Sequence, residues 1–350
     1  MCYNKENERI KKGPPDMKYI FVINPAAGRI NSFTEIKTEL ERELNGKMDY
    51  ELYRTQAPGD ATAYIREYCR THPEPVRFYA CGGDGTLNEV VNGAVGFAQA
   101  SVGCYPCGSG NDFVKYYGGS KQFLNLRAQL EATEESIDLM RVGNKYAINA
   151  THFGFDSCVA KTVINVRRKK LIGGRNAYTT GVLVGLFRAM KNRCRVTVDG
   201  RLLNPDGVIL LCTIANGQYV GGSFRCAPRS VNCDGLLEVC LVHPVSHIKF
   251  MNLMKFYTDG THIGNPKFDR ILEYCRGRRI EVEAPEGFVY SFDGELVTQN
   301  RFTVEVATRA IRFAVPKGAK AIVDPAYILQ SCVDATRAES RSGVCRFHCI

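Results

Sequence analysis

The chain has 350 residues, which is enough for about two domains. Its 45% hydrophobic and 23% charged content exclude a disordered or collagen-like protein. It has 46 lysines and arginines against 36 aspartates and glutamates, and the net charge of +10 excludes an acidic tail protein. Ten of the basic residues and no acidic residue lie between Lys161 and Arg195. The excess positive charge is therefore concentrated in one segment, which predicts an anionic partner.

The cysteines and the apolar runs indicate the compartment. Fifteen cysteines, an odd number, predict free thiols in a reducing environment. Residues 1–16 are polar, lack the apolar core of a signal peptide, and are predicted to be a disordered leader. No apolar run is long enough to span a bilayer, so we expect a cytoplasmic protein. Cys104 and Cys107 form a CxxC motif, for which a redox pair or half of a metal site are the alternatives to packing.

The first predicted unit, residues 17–140, alternates strands with helices. Its predicted strands are Tyr19–Ile23, Tyr50–Arg54, Arg77–Cys81 and Val102–Tyr105. Amphipathic helices follow the first three of them, the second helix running from Asp60 to Arg70. This alternation predicts a doubly wound, mainly parallel α/β domain.

From about Ile137 the pattern changes to short strands separated by turn residues. Residues 141–316 are therefore predicted to form an antiparallel, β-sandwich-like domain. Its last two predicted strands are Phe302–Ala307 and Ile311–Val315, and helices are predicted around residues 176–191 and 246–257. Residues 317–350 are predicted to be a C-terminal segment and tail, loosely held from residue 328 onward. The predicted fold class is α/β with two domains.

Three glycine-rich turns follow predicted strands and indicate a phosphate site. They are Asn24-Pro25-Ala26-Ala27-Gly28, Gly82-Gly83-Asp84-Gly85-Thr86 and Gly108-Ser109-Gly110-Asn111-Asp112. The carboxyl ends of parallel strands meet at one edge of a sheet, where helix N-termini favour anions. Asp84 would repel phosphate unless a cation lies between them, which predicts a magnesium-bound nucleotide. The alternative for a single turn is a tight strand-to-helix connection with Asp84 as its N-cap.

The same turns, continued by Leu87-Asn88-Glu89-Val90, resemble the signature motifs of the diacylglycerol kinase catalytic domain. The resemblance continues in order through Ile137-Asp138-Leu139, Gly154-Phe155-Asp156, Gly221-Gly222, Asp234-Gly235-Leu236-Leu237 and Asp293-Gly294-Glu295. It spans residues 17–316 and is strongest toward the soluble bacterial diacylglycerol kinases and related lipid kinases. The Gly82-Gly83-Asp84-Gly85-Thr86 motif is shared with NAD kinases, whereas its continuation and the later motifs at Asp234–Leu237 and Asp293–Glu295 favour the lipid kinases.

The resemblance implies an ATP- and Mg²⁺-dependent kinase that transfers the γ-phosphate to a lipid hydroxyl, making phosphatidic acid from diacylglycerol. Residues 17–140 would bind ATP and residues 141–316 the lipid. The residues implied to contact ATP are Asn24, Pro25, Ala26, Ala27, Gly28, Thr55, Gly82, Gly83, Asp84, Gly85, Thr86, Leu87, Asn88 and Ser109. Asp84, Asp112 and Asp138 would form an aspartate–water–magnesium network. A structural magnesium would bind Asp234 and the carbonyls of Val231 and Leu236.

The Asp293-Gly294-Glu295 motif carries the predicted proton acceptor. A lipid hydroxyl must lose its proton to a positioned carboxylate as the new P–O bond forms. In an extended segment both carboxylates would point the same way, whereas the alternative is a hairpin turn, because Asp-Gly is a common turn pair. The resemblance implies that Glu295 is the base; the residue pattern alone does not separate it from Asp293.

The basic segment Lys161–Arg195 is predicted to bind anionic phospholipids at the membrane surface that holds the lipid substrate. A solvated face of a helical insertion is the alternative. We therefore expect a cytoplasmic, peripherally membrane-associated enzyme without a nucleic-acid partner, and a homodimer as the default assembly. Sphingoid, polyprenol and NAD acceptors stay open as alternatives, as does a non-catalytic nucleotide-binding regulator.

Overall fold

A computed structural model describes residues 17–27, 32–44, 49–155, 190–324 and 327. The strands are β1 (Lys18–Ile23), β2 (Tyr50–Arg54), β3 (Val76–Gly82), β4 (Ala100–Pro106), β5 (Thr133–Val142), β6 (Lys145–Ala147), β7 (Ala150–Gly154), β8 (Asn192–Arg193), β9 (Arg195–Val198), β10 (Arg201–Leu202), β11 (Val208–Ile209), β12 (Leu211–Ala215), β13 (Leu237–Val242), β14 (Leu272–Gly277), β15 (Arg279–Glu283), β16 (Val289–Phe292), β17 (Glu295–Thr298) and β18 (Arg301–Val315). The α-helices are α1 (Ser32–Leu44), α2 (Asp60–Thr71), α3 (Asp84–Ala94), α4 (Ser120–Phe123), α5 (Leu126–Leu130) and α6 (His247–Asp259). Short 3-10 helices span Phe113–Tyr117 and Pro266–Phe268.

The amino-terminal half is the predicted doubly wound unit. Strands β2, β1, β3 and β4 lie in that order and pair in parallel. Alternate residues of β1 face opposite sides of the sheet: Phe21 packs with Leu40 of α1, while Ile20 and Val22 share a core with Ile65 of α2. Every residue of β3 and β4 is buried, because helices cover both faces.

The carboxyl-terminal half is an antiparallel sandwich, which confirms the predicted fold class. A six-stranded sheet runs β14-β13-β12-β7-β16-β17. A second sheet of ten strands joins the parallel strands of the first half to β18, β15, β9, β10, β5 and β6. The six-stranded sheet packs against the antiparallel part of this second sheet through a core that includes Phe153, Ile214, Ile280 and Phe302. Side chains from two inner faces fill the space between the sheets, as in other sandwiches.

One long strand joins the two halves. The predicted strands Phe302–Ala307 and Ile311–Val315 are a single strand, β18, which pairs with β15 at its start and with β4 near its end. A shift of register between Ala307 and Ile311 interrupts its pairing with β5, and Arg309 adopts a positive φ of 48° there. Because such a bulge breaks the alternation of apolar residues, the sequence pattern resembles two strands. The predicted domain division at residue 140 falls inside β5.

The remaining predicted helices differ in how much of them is described. The helix predicted around residues 246–257 is α6, which Ser246 caps by accepting a hydrogen bond from the Lys249 amide. The helix predicted around 176–191 lies outside the described residues except for its last two positions. Among the helices of the described ranges, none is long and apolar enough to cross a membrane.

Candidate active site

The three glycine-rich turns meet at the carboxyl ends of β1, β3 and β4. Asn24 Nδ2 donates to Thr86 Oγ1 at 3.0 Å, and the Cys107 amide donates to the Gly82 carbonyl at 2.8 Å. Together they line the turn cavity, of about 840 Å³, which we define by Asn24, Ala26, Ala27, Gly83, Asp84, Gly85, Thr86, Cys107, Gly108, Ser109, Gly110, Asp293, Gly294 and Glu295. Gly28 lies outside the described residues. Thr55 is buried beside Ile23, to whose carbonyl its amide donates, and is not one of the lining residues.

Two of the turns touch through their glycines. A Cβ placed on Gly108 would lie 2.4 Å from the Gly83 Cα, and one placed on Gly110 would lie 2.7 Å from Asp84 Oδ2. A side chain at either position would therefore fill the floor of the turn cavity. Helix α3 begins at Asp84 and directs its amino end, with its positive partial charge, into this cavity. The backbone floor and the helix end suit a bound phosphate chain.

Asp84 and Asp112 form an acidic pair beside the turn cavity. Asp84 Oδ1 accepts a hydrogen bond of 2.6 Å from the Asp112 amide. Burial, reinforced by the charge of Asp112, raises the pKa of Asp84 to about 6. The carboxylate of Asp112 accepts a hydrogen bond from the Gly222 amide and forms an ion pair with Lys115 Nζ at 2.5 Å. Lys115 also donates to the Gly222 carbonyl, so Asp112 and Lys115 join the first half of the chain to the second.

Asp138 is held by other partners. It lies on β5 opposite the bulge of β18, where Oδ1 accepts the Arg309 amide at 2.7 Å. Its Oδ2 accepts the Gly235 amide at 2.6 Å, and the side chain is fully buried. Asp138 lines neither the turn cavity nor the apolar cavity described below. Both carboxylate oxygens therefore stabilise backbone turns, and the magnesium role of Asp138 stays a prediction.

The predicted structural metal site surrounds a buried ion pair. Asp234 Oδ1 accepts the Leu236 amide at 3.0 Å, and Oδ2 lies 3.8 Å from an Arg276 guanidinium nitrogen. Val231 and Leu236, three residues before and two residues after Asp234, are also buried. The magnesium role of Asp234, Val231 and Leu236 stays a prediction, and no step of the reaction is derived through that ion. Within the described residues no group of three or more His, Cys, Asp or Glu side chains is arranged to hold a metal.

Asp293 and Gly294 form a hairpin turn instead of the extended segment considered above. Both have positive φ angles, of 47° and 89°, and Phe292 pairs with Glu295 across the turn between β16 and β17. Asp-Gly adopts this primed turn readily, because glycine tolerates positive φ without strain. The turn separates the two carboxylates, which therefore have different surroundings.

Asp293 is buried and accepts four hydrogen bonds. Asn88 Nδ2 donates to it from α3 at 2.9 Å, and the amides of Ile148, Asn149 and Ala150 donate at 2.6, 3.0 and 2.9 Å. Burial raises the pKa of Asp293, and these hydrogen bonds oppose that rise. Asp293 therefore holds α3 and the start of β7 together. It has no oxygen left over for a substrate proton.

Glu295 has the opposite environment. Its side chain is 55% exposed, and its Oε2 lies 3.8 Å from Lys145 Nζ, a separation at which an exposed ion pair contributes little. It lines the turn cavity next to Gly294. Of the Asp293–Glu295 pair, Glu295 is thus the carboxylate whose oxygens are accessible from the site.

A second cavity, the apolar cavity, opens from the turn cavity and lies under α6. It has a volume of about 480 Å³, and its walls come from β7, β12, β13, β16 and the inner face of α6. On α6 the lining residues are Phe250, Leu253, Met254 and Tyr257. The sequence pattern does not reveal this cavity, although these four residues have the i, i+3, i+4, i+7 spacing of one helix face. The pattern alone reads equally well as core packing.

Five residues line both cavities: Asp84, Ser109, Gly110, Asp293 and Gly294. A site for an anionic chain and a site for an apolar molecule thus share one wall of carboxylates and glycines. Leu87 and Asp112 line only the apolar cavity, while Asn88 contacts the site through Asp293.

The comparisons with known proteins agree with this arrangement. Residues 18–142 match the diacylglycerol kinase catalytic domain, and residues 149–315 match the YegS C-terminal NAD kinase beta sandwich-like domain. A Pseudomonas aeruginosa protein named "Probable lipid kinase YegS-like" is 31% identical over 252 residues, covering 70% of this chain and 78% of its own. The chain belongs to this family of lipid kinases.

Other members of the family are similar over most of their length. A protein of the same name from Chromohalobacter salexigens is 28% identical over 89% of this chain and 97% of its own. The diacylglycerol kinase of Bacillus subtilis is 26% identical over 78% of this chain and 88% of its own. A solved diacylglycerol kinase structure from Bacillus anthracis superposes with a TM-score of 0.63 at 19% identity, covering 90% and 99% of the two chains. That likeness confirms the predicted fold class.

Proposed function

We propose that this protein uses magnesium-bound ATP to phosphorylate the hydroxyl of a lipid, with diacylglycerol as the acceptor and phosphatidic acid as the product. The observation that carries the proposal is the junction of the turn cavity with the apolar cavity at Asp84, Ser109 and Gly110. The chain's membership of a lipid kinase family supports it.

The turn cavity would hold the phosphates of ATP. The α3 amino end, Ser109 and the backbone of the glycine turns would bind phosphate oxygens. Asp84 and Asp112 would hold magnesium, which supplies charge neutralisation between the carboxylates and the phosphates. The acidic pair fits that task because Asp84 is buried and carries a raised pKa, which a cation would lower.

The acceptor lipid would place its apolar part under α6 and its hydroxyl at the junction. We propose that Glu295 accepts the hydroxyl proton, since the oxygens of Asp293 are already bound by four donors. Transfer would then rest on positioning of the hydroxyl and on stabilisation of the phosphoryl charge.

An acceptor panel tests this function. The purified protein, labelled ATP and magnesium would be incubated separately with short-chain diacylglycerol, a sphingoid base, a polyprenol and NAD. We expect label in the glycerolipid product, identified by mass analysis. NAD is the second candidate acceptor, because the matched C-terminal domain is described as NAD kinase beta sandwich-like. The aliphatic and aromatic walls of the apolar cavity favour a lipid over NAD. Label in NAD alone, or in no acceptor, contradicts the proposal.

We also propose that the enzyme meets its substrate at an anionic membrane surface. Of the basic segment Lys161–Arg195, residues 190–195 are described, and Lys191, Arg193 and Arg195 among them are exposed. The outer face of α6 adds support, because Ile248 and Met251 are 77% and 55% exposed there beside basic residues. Exposed apolar residues with neighbouring lysines suit the boundary of a bilayer.

A further inference from the structure

Two polar side chains lie next to each other in the wall of the apolar cavity. His152 on β7 and Ser291 on β16 are paired in register, so both point to the cavity face of the sheet. The Nδ1 atom of His152 and the Oγ atom of Ser291 are buried, and neither has a hydrogen-bond partner in the part of the chain that the structure describes. A buried polar atom without a partner costs about 1–3 kcal/mol. A ligand that supplies the partner recovers this free energy.

The pair lies one step along the strands from the transfer site. Ala150, two residues before His152 on β7, donates its amide to Asp293. Ser291 on β16 lies two residues before Asp293, which is in the turn that follows this strand. Residues two apart on a strand share a face and are separated by about 7 Å. A lipid whose hydroxyl lies at the junction would therefore bring the next few atoms of its backbone beside His152 and Ser291.

Both side chains are uncharged at neutral pH. Burial lowers the pKa of His152 to about 4, although the charge of Asp112 opposes the shift. A neutral imidazole donates from one nitrogen and accepts at the other, and a serine hydroxyl does both. Such a pair matches a neutral oxygen, such as an ester carbonyl. It supplies no charge for an ammonium group, and a lipid alcohol whose hydroxyl is its only oxygen, such as a polyprenol, has no second oxygen to offer.

We propose that His152 and Ser291 form a specificity-determining pair that binds an ester oxygen of the acceptor next to its hydroxyl, and so selects acylglycerols. The inference rests on the proposed function, because it names the part of the acceptor that the apolar cavity recognises.

The test compares acceptors that differ only in that oxygen. Dioctanoylglycerol carries ester carbonyls, and dioctyl ether glycerol has the same hydroxyl and equal chain lengths without them. We expect the wild type to favour the ester by about tenfold in kcat/KM, the effect of one hydrogen bond. In Ser291→Ala and His152→Leu the ester should lose this advantage while the ether keeps its rate. Met254→Leu, an apolar change in the same cavity, should keep the wild-type ratio.

The ratio of the two rates is the readout, because a structural defect lowers both rates together. Thermal unfolding and ATP binding of each variant confirm that it is folded, and Ser291→Ala changes only one atom. A wild type that uses both acceptors equally overturns the inference, as do variants that keep the ester preference. A wild type that phosphorylates a polyprenol or NAD but neither glycerolipid overturns both the inference and the choice of diacylglycerol. If the wild type phosphorylates the two glycerolipids at equal rates, the proposed function is retained and only the inference is overturned.

Discussion

Single carboxylates in the site differ in what their oxygens already bind. Asp293 accepts four hydrogen bonds and Asp138 accepts two backbone amides, whereas Asp84 accepts one. Among the residues that the structure describes, Glu295 has only an ion pair at 3.8 Å. A carboxylate with all its lone pairs engaged is a structural anchor, and an accessible one is suited to proton transfer. This division gives each residue a separable effect on stability and turnover.

Glu295→Gln should lower kcat by at least about 100-fold, the usual contribution of a general base. Its half-exposed side chain makes few contacts, so the melting temperature and ATP affinity should stay within error of the wild type.

Asp293→Asn should instead lower the free energy of unfolding by several kcal/mol, because an amide cannot accept hydrogen bonds from all four donors. Calorimetry and initial rates measure both effects. Full turnover in Glu295→Gln would exclude it as the base.

His262 should make the fold sensitive to acid. It is fully buried, and burial lowers its pKa to about 4. The unfolded chain takes up this proton near pH 6.5, so stability is highest above that pH and falls as the pH drops toward 4, by about 3 kcal/mol. Urea titrations across this range should show a flatter profile for His262→Gln. His72→Gln, a change at an exposed position, is the control. Equal slopes for wild type and His262→Gln would contradict the prediction.

At the scale of secondary-structure elements, the turns and the β18 bulge are fixed by backbone contacts. The first and third turns each bind the second, while the bulge is tied to β5 and the Gly235 turn through Asp138. Changes at these points should therefore alter whole elements and not single contacts.

Gly108→Ala should separate two turns of the proposed ATP site. Its Cβ would lie 2.4 Å from the Gly83 Cα, and backbone cannot yield as a side chain does. We expect a lower melting temperature and at least tenfold weaker ATP binding by isothermal titration calorimetry. Gly85→Ala, where a Cβ meets nothing within 4 Å, should keep the wild-type melting temperature. An unchanged ATP affinity in Gly108→Ala would show that the close approach is not required.

Asp138→Asn tests whether this residue serves the bulge or the magnesium network. The asparagine oxygen still accepts one of the two backbone amides, so the variant loses the other hydrogen bond and the charge that strengthens both, which should cost about 3 kcal/mol of stability, measured by urea unfolding. The apparent magnesium affinity of the variant should match the wild type at a temperature where both are folded. A selective loss of magnesium affinity would instead place Asp138 in the predicted network.

At the scale of the whole molecule, the candidate active site is built from both halves of the chain. Asn88 and Lys115 from the first half bind Asp293 and Gly222 of the second, and β18 runs through the sheet of both. The apolar cavity belongs mainly to the second half and meets the turn cavity of the first. Neither half alone would contain the complete site.

The outer face of α6 should contribute to membrane binding. The double variant Ile248→Ser, Met251→Ser should bind vesicles of phosphatidylcholine and phosphatidylglycerol at least tenfold more weakly, because two exposed apolar side chains no longer enter the bilayer. Sedimentation with vesicles measures this. Ile322→Ser removes an exposed isoleucine elsewhere on the surface and should leave binding unchanged. Equal sedimentation of the wild type and the double variant would refute a role for this face.

The sequence by itself determined the doubly wound half, the place of the three turns and the family. Strand, turn and helix follow one another locally there, and parallel strand ends meet at one edge by topology. Only the tertiary structure decided the different surroundings of Asp293 and Glu295, the continuity of β18 and the existence of the apolar cavity. Each depends on pairing between distant segments, such as Asn88 with Asp293 or α6 with β7, and no local pattern encodes which atoms those pairings bring together.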